Sequence, residues 1–367
     1  MSYLDFDERN RRSTSWHTEW VCLLAFVVFT FTYLFFYQSD ILAAGQHVLS
    51  GGQTHYRSLV GAVLITLVLL ILQRCVFRLT RLSKRAHALT YLPSLLVLTV
   101  ITDVSSNIDK GFSFGGWLIA VPLILVAYCF LVVFLMKMEP FEPEGASVGF
   151  LSRTSWINLL TMVVMFVLVG LFSNSDEAFH YRMRMERLLL DGKTKEALRV
   201  GRRSEVTDNS LTMLRAYALA CEGQLGNRFF EYPVTAASFS LVPDGEQART
   251  VLLPDSVITL KARRVGVRAD HKLLQLLADR KLSQFAALVQ KAYPDSLMPK
   301  HYAEALAMYQ HLVALDTIAV ADSVMLEAFA DFCAKEHATP KASLPSVMRK
   351  AYGRTYWYYY KYGWKED

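Results

Sequence analysis

The 367-residue chain has no CxxC pair and no HExxH, and past residue 175 it has no uncharged run long enough to cross a bilayer. The missing motifs leave a structural zinc site and zincin chemistry without support, and no cofactor or metal is expected. There are only five cysteines, which is no disulfide framework. Cys22, Cys75 and Cys129 lie in or beside apolar stretches, where a thiol acts as a small hydrophobe. Only Cys221 and Cys333 fall in the polar part. They pair if that part faces an oxidising compartment, whereas two separated cysteines more often sit buried and free. A concentrated basic face is missing too. The net charge of +6 divides into 12 basic and 10 acidic residues up to residue 175, and 27 and 23 beyond it. That balance argues against nucleic acid as a partner.

What the chain does have is apolar length. A hydrocarbon core of about 30 Å needs roughly 20 mostly apolar helical residues. Five segments meet this requirement, at about 20–37, 56–76, 86–104, 112–136 and 154–172. Pro93, in the third, is tolerated in membrane helices. The first segment is too long for a signal-peptide core and is followed by "QSDILAAGQ" instead of a compact small-residue cleavage site, so it reads as a permanent anchor.

Basic residues give an expected orientation. Arg9, Arg11 and Arg12 precede the first segment. Arg74, Arg78, Arg81, Lys84 and Arg85 lie between the second and third, and Lys137 and Arg153 lie between the fourth and fifth. Against these ten, the intervening loops hold only Arg57 and Lys110. The positive-inside rule then puts the N-terminus in the cytoplasm, and five crossings put the polar part outside it. Arg182, Arg184 and Arg187 argue the other way, but long domains translocate largely regardless of charge.

From Asp176 the pattern changes to short amphipathic helices. Gly192, Ala197 and Ser204 have the spacing of a tetratricopeptide-type helical hairpin, followed by a second unit cut short at Pro233. Residues 234–266 read as an irregular insertion with a short strand pair. Helices are expected again at about 268–278, 281–292, 299–315, 318–336 and 345–361. The fold class is therefore all-α: a five-helix transmembrane bundle over 1–175, then an extracytoplasmic, tetratricopeptide-like helical-repeat domain over 176–367.

The stretches "FFYQSDILAAGQHVLSGGQTHYRSLVGA", "FHYRMRMERLLLDGKTKEAL", "LMPKHYAEALAMYQH" and "YGRTYWYYYKYG" resemble a family of uncharacterised multi-pass membrane proteins from Gram-negative bacteria with a tetratricopeptide-like C-terminal region. The resemblance implies a location in the bacterial inner membrane. It implies no reaction and transfers no functional residue.

Four features invite a functional reading. "GFSFG", residues 111–115, fits G-x-S-x-G, but Ser113 stands at the entrance of a membrane helix with no strand before it, so the nucleophile elbow lacks its context. The loops expected to face outward hold Asp40, Gln46, His47, Gln53, His55, Asp103 and Asp109. An acid at the end of a span with histidines in a facing loop suits a lipid headgroup or acid–base chemistry, with Asp103 and His55 foremost, although ordinary interfacial polarity is the favoured reading. The acidic turn at 139–145 reads as a solvated connector, and "SGGQT" lacks the lysine of a phosphate loop. The fourth feature is the tail "RTYWYYYKYGW". On one continuous helix Tyr352, Tyr356, Tyr359 and Tyr360 share a face that closes the helical stack, with Trp357, Tyr358 and Trp364 pointing elsewhere. A membrane-interface anchor and a base- or sugar-stacking surface rank behind that reading.

Three functions are then compared. The first is a membrane-anchored platform binding an envelope protein partner. The second is a membrane enzyme acting on a lipid-linked substrate. The third, a transporter, lacks intramembrane charges and an inverted repeat.

Overall fold

Each of the five apolar runs forms a helix, the structure that satisfies the backbone polar groups of a single segment internally. The computed structural model describes residues 16–82, 84–111, 113–138, 152–235, 241–293, 298–313 and 323–363. The segment 139–145, Trp364 and the N-terminal arginines lie outside these. The chain divides into two compact units, Met1–Asp176 and Glu177–Asp367.

In the first unit, α1 (Trp16–Thr32) runs on into a π-helical turn, Tyr33–Tyr37. It is followed by α2 (Ser39–Leu49), α3 (Ser58–Thr80) and a 3-10 segment (Lys84–Tyr91) that leads into α4 (Leu92–Thr102). The unit closes with α5 (Trp117–Met138) and α6 (Arg153–Phe172). Among the described residues, five helices are long and apolar enough to cross a membrane: Trp16–Tyr37, Ser58–Thr80, Arg85–Thr102, Trp117–Lys137 and Arg153–Phe172. Pro93 sits in the first turn of α4, where its missing N–H costs nothing. The stretch expected as a loop after the first span is helical as α2, because "DILAAGQHV" keeps Ile41, Ala44 and Gly45 on one buried face.

α1, α3, α4 and α6 pack around Cys22, Phe26, Leu69, Leu98 and Met162. Two of the buried polar groups inside tie the helices together: Asn158 Oδ1 accepts the Ala88 N–H at 2.7 Å, and Ser94 Oγ donates to the Leu69 carbonyl at 2.8 Å. By contrast, α5 leaves Leu118, Ile119, Leu123 and Phe130 exposed, an apolar face suited to lipid.

The second unit begins with α7 (Glu177–Leu190), the single turn α8 (Thr194–Ala197) and α9 (Asn209–Cys221). The expected hairpin is therefore curtailed. Gly201 has a left-handed φ of +59° and carries the Tyr181 ring so close that a Cβ would lie 2.9 Å from it, which stops α8 from propagating. Next come α10 (Leu225–Arg228) and α11 (Asp255–Ala262). Among the described residues there is no strand, so the strand pair expected in 234–266 is corrected. "DSVITLKA" instead forms α11, with Ile258 and Ala262 buried one turn apart; packing overrides the β-branched preference.

Helices α12 (Val265–Ala278), α13 (Leu282–Ala292), α14 (Lys300–Val313) and α15 (Ser323–Ala338) each pack on the next. The last expected helix is two: α16 (Leu344–Tyr352) and α17 (Tyr356–Tyr362). The Thr355 side chain accepts the Tyr358 N–H and caps the second.

Candidate functional site

At one end of the membrane unit, Asp103 follows the last residue of α4 and is exposed, and its Oδ2 accepts the Trp117 indole N–H at 2.7 Å. This bond ties the end of α4 to the start of α5. His55 lies exposed in the loop before α3, and no hydrogen bond or ion pair joins it to Asp103 among the described residues. His47 rests against Gly52, and Gln46 donates to Thr54 Oγ1 at 2.9 Å. Asp40 is in the first turn of α2, Gln53 is exposed in the following loop, and Asp109 is in a 3-10 turn. The structure thus brings Asp103 to a tryptophan and not to a histidine. Ser113 is exposed in the loop before α5, and no strand precedes it among the described residues.

An apolar cleft of about 290 Å³ lies between α4, α5 and α6, lined among others by Leu95, Thr99, Trp117, Met165 and Phe172. Trp117 therefore belongs both to the cleft wall and to the bond with Asp103. Nearby in the same unit, Gln38 is fully buried and donates to Tyr33 Oη at 2.9 Å and to the Asn174 carbonyl at 3.3 Å, while its amide oxygen has no partner.

In the second unit the buried charges serve as ties. The Glu186 carboxylate, wholly buried on α7, accepts the N–H groups of Val251, Leu252 and Leu253 at 2.8, 2.6 and 3.1 Å. Its other oxygen accepts from Arg182 Nε at 3.3 Å. Burial raises its pKa, while Arg182 and the three N–H groups act against that shift. Arg215, equally buried, donates from Nη1 to Thr207 Oγ1 and the Pro233 carbonyl, both at 3.2 Å. Its guanidinium lies 5.4 Å from the Tyr232 ring centre, and burial lowers its pKa to about 10.

His301 Nδ1 lies 2.9 Å from Glu304 Oε2. This is the pairing by which a carboxylate orients a general base. Here, however, the imidazole is 0% exposed, its Nε2 has no partner, and its ring stands edge-on to Phe230 at 5.3 Å. No substrate can approach Nε2. The same Glu304 oxygen accepts the Tyr356 N–H at 2.7 Å, and the Glu304 carbonyl accepts the Trp357 indole N–H at 2.7 Å. The dyad is thus the anchor for α17. The i,i+3 spacing of His301 and Glu304 was legible as one helix face, although it was not among the features the sequence singled out.

The aromatic tail closes the core through Tyr356 and Tyr359, as expected, and through Trp357, which was expected to point elsewhere. Tyr356, Trp357 and Tyr359 are buried, with Trp357 against Phe329 and Phe332. Tyr352 belongs to the preceding helix and donates to Asp331 at 2.5 Å, and Tyr360 is only half-buried. All five cysteines, Cys221 and Cys333 included, are free. No group of three histidine, cysteine or acidic side chains among the described residues is arranged to hold a metal ion. Residues 267–363, from α12 to α17, match the model of a Family of unknown function (DUF6057). No curated protein and no solved structure matches the chain.

Proposed function

We propose that the chain is a multi-pass membrane protein of the bacterial inner membrane that presents a tetratricopeptide-like helical unit outside the cytoplasm to bind an envelope protein partner. The observation that carries this reading is the serial packing of α12 to α15, each helix on the next. Such arrays expose a continuous surface on which partners dock. The use to which Glu186, His301 and Glu304 are put supports it further. These groups have the chemistry of catalysts, but all three are buried: the two carboxylates accept backbone N–H groups, and His301 is paired with Glu304. Isolation of the intact chain in mild detergent should retain a protein at fixed stoichiometry. Recovery of the chain with lipid alone would refute the platform.

A second reading is a membrane enzyme acting on a lipid-linked substrate at the same face. The apolar cleft beside the Asp103–Trp117 bond favours it. That reading predicts a co-purifying lipid-linked species which Asp103→Asn abolishes, whereas the platform predicts that Asp103→Asn leaves the retained protein unchanged.

A further inference from the structure

The corner formed by α11, its two-residue turn and the start of α12 combines two properties that surface residues do not usually share. Ile258 and Ala262 fix the inner face of α11 in the core, so Val257 and Leu260 must point the other way, and they are 40% and 65% exposed. Val265, the first residue of α12, is 90% exposed. Lone exposed aliphatics are ordinary, but these three sit within nine positions among Lys261, Arg263, Arg264, Arg268 and Lys272. No ion pair among the described residues involves any of these five cations. The acids nearest in sequence are engaged elsewhere: Asp255 accepts from Thr250 Oγ1 at 2.5 Å, and Asp270 accepts from the hydroxyls of Tyr293 and Tyr302 at 2.5 and 3.0 Å.

From this juxtaposition we infer that the 257–272 corner docks on a bilayer surface bearing anionic phospholipid headgroups. The arginines lie over the phosphates, and Val265 and Leu260 enter the headgroup boundary. Unpaired cations beside exposed aliphatic side chains match both halves of such a surface, negative potential outside and hydrocarbon beneath. An acidic protein would satisfy the cations but leave Val265 without an apolar partner of its own. If α6 crosses a membrane, the tether to the unit is short: four residues separate Phe172, the end of α6, from Glu177, which at full extension reach about 14 Å. The inference does not depend on which side of the membrane the unit occupies, nor on the identity of a protein partner.

Hydrogen exchange over 255–272 tests it, measured on the intact chain in nanodiscs of phosphatidylcholine alone and of phosphatidylcholine with phosphatidylglycerol. One cation held at an anionic surface corresponds to about fivefold, so slowing of at least about fivefold is expected in the anionic disc and confined to this segment. Raising salt to about 1 M, where the screening length falls to about 3 Å, should reverse it. R263Q/R264Q/R268Q should abolish the slowing with exchange elsewhere in the unit unaltered, since all three side chains are exposed. Equal exchange in the two discs, slowing spread over the whole unit, or slowing that survives the triple substitution would each overturn the inference. Slowing by soluble polyglutamate without slowing by phosphatidylglycerol would overturn it in favour of an acidic protein partner.

Discussion

At the scale of single residues, burial decides which ionisable groups matter. His271, on α12, has a pKa lowered from 6.5 to about 4 by burial, and its Nε2 has no partner. The unfolded chain takes up a proton at this imidazole from about pH 6.5 downward, whereas the folded chain resists until about pH 4. Stability therefore falls as pH drops through that window and is fully present above it. At about 1.4 kcal/mol per pH unit the loss reaches about 3.5 kcal/mol. Limited proteolysis of the intact chain across pH 4–7 should show it, and His271→Leu should flatten the acid slope by a comparable amount; an unchanged slope would contradict the assignment. Ser113 illustrates the opposite case. It is exposed in a loop without the strand–turn–helix that strains a nucleophile, so Ser113→Ala should leave partner retention and membrane insertion as they were. Loss of retention at normal protein level would reopen the hydrolase reading.

The elements show where sequence reasoning succeeds and where it stops. The five helices long and apolar enough to cross a membrane were legible because each is a run of about 20 apolar residues, a signal carried by neighbours in the chain. Helices α12 to α15 were legible through their apolar period and the prolines between them. The break between α16 and α17 was also written locally, in Gly353 and the capping Thr355, but the density of aromatics masked it. The break changes which rings are buried: Trp357 turns inward onto Phe329 and Phe332, and Tyr352 stays behind on α16. The tie between Glu186 and residues 251–253 has no local signature, since it joins groups 65 or more positions apart. The pairing of Asp103 with Trp117 spans 14 positions across two helix ends.

α17 is held by Trp357 Nε1 on the Glu304 carbonyl, Tyr356 Oη on the Leu277 carbonyl at 3.0 Å and Tyr359 Oη on the Ala278 carbonyl at 3.0 Å. Trp357→Ala should cost about 3–5 kcal/mol, a large share of the roughly 5–15 kcal/mol that stabilises a domain. Tyr356→Phe, which loses one hydrogen bond, should cost about 1 kcal/mol. Pulse proteolysis of the intact chain would rank the two. A Trp357→Ala chain as resistant as the original would show that the tail is an appendage and not part of the core.

At the scale of the whole molecule, the chain holds two units of different physical character: a bundle that exposes apolar faces and a helical array in which the buried carboxylates Glu186 and Glu304 are tied to backbone N–H groups. The proposed function depends on the side of the membrane to which the array is delivered, and the side proposed rests on the ten-to-two contrast in basic residues along the sequence. Alkaline-phosphatase fusions read the side directly, because the enzyme is active only outside the cytoplasm. A fusion after Ser175 should be active and one within the basic stretch from Arg74 to Arg85 silent. The reverse pattern would put the helical unit in the cytoplasm and contradict the proposal of a platform for envelope partners.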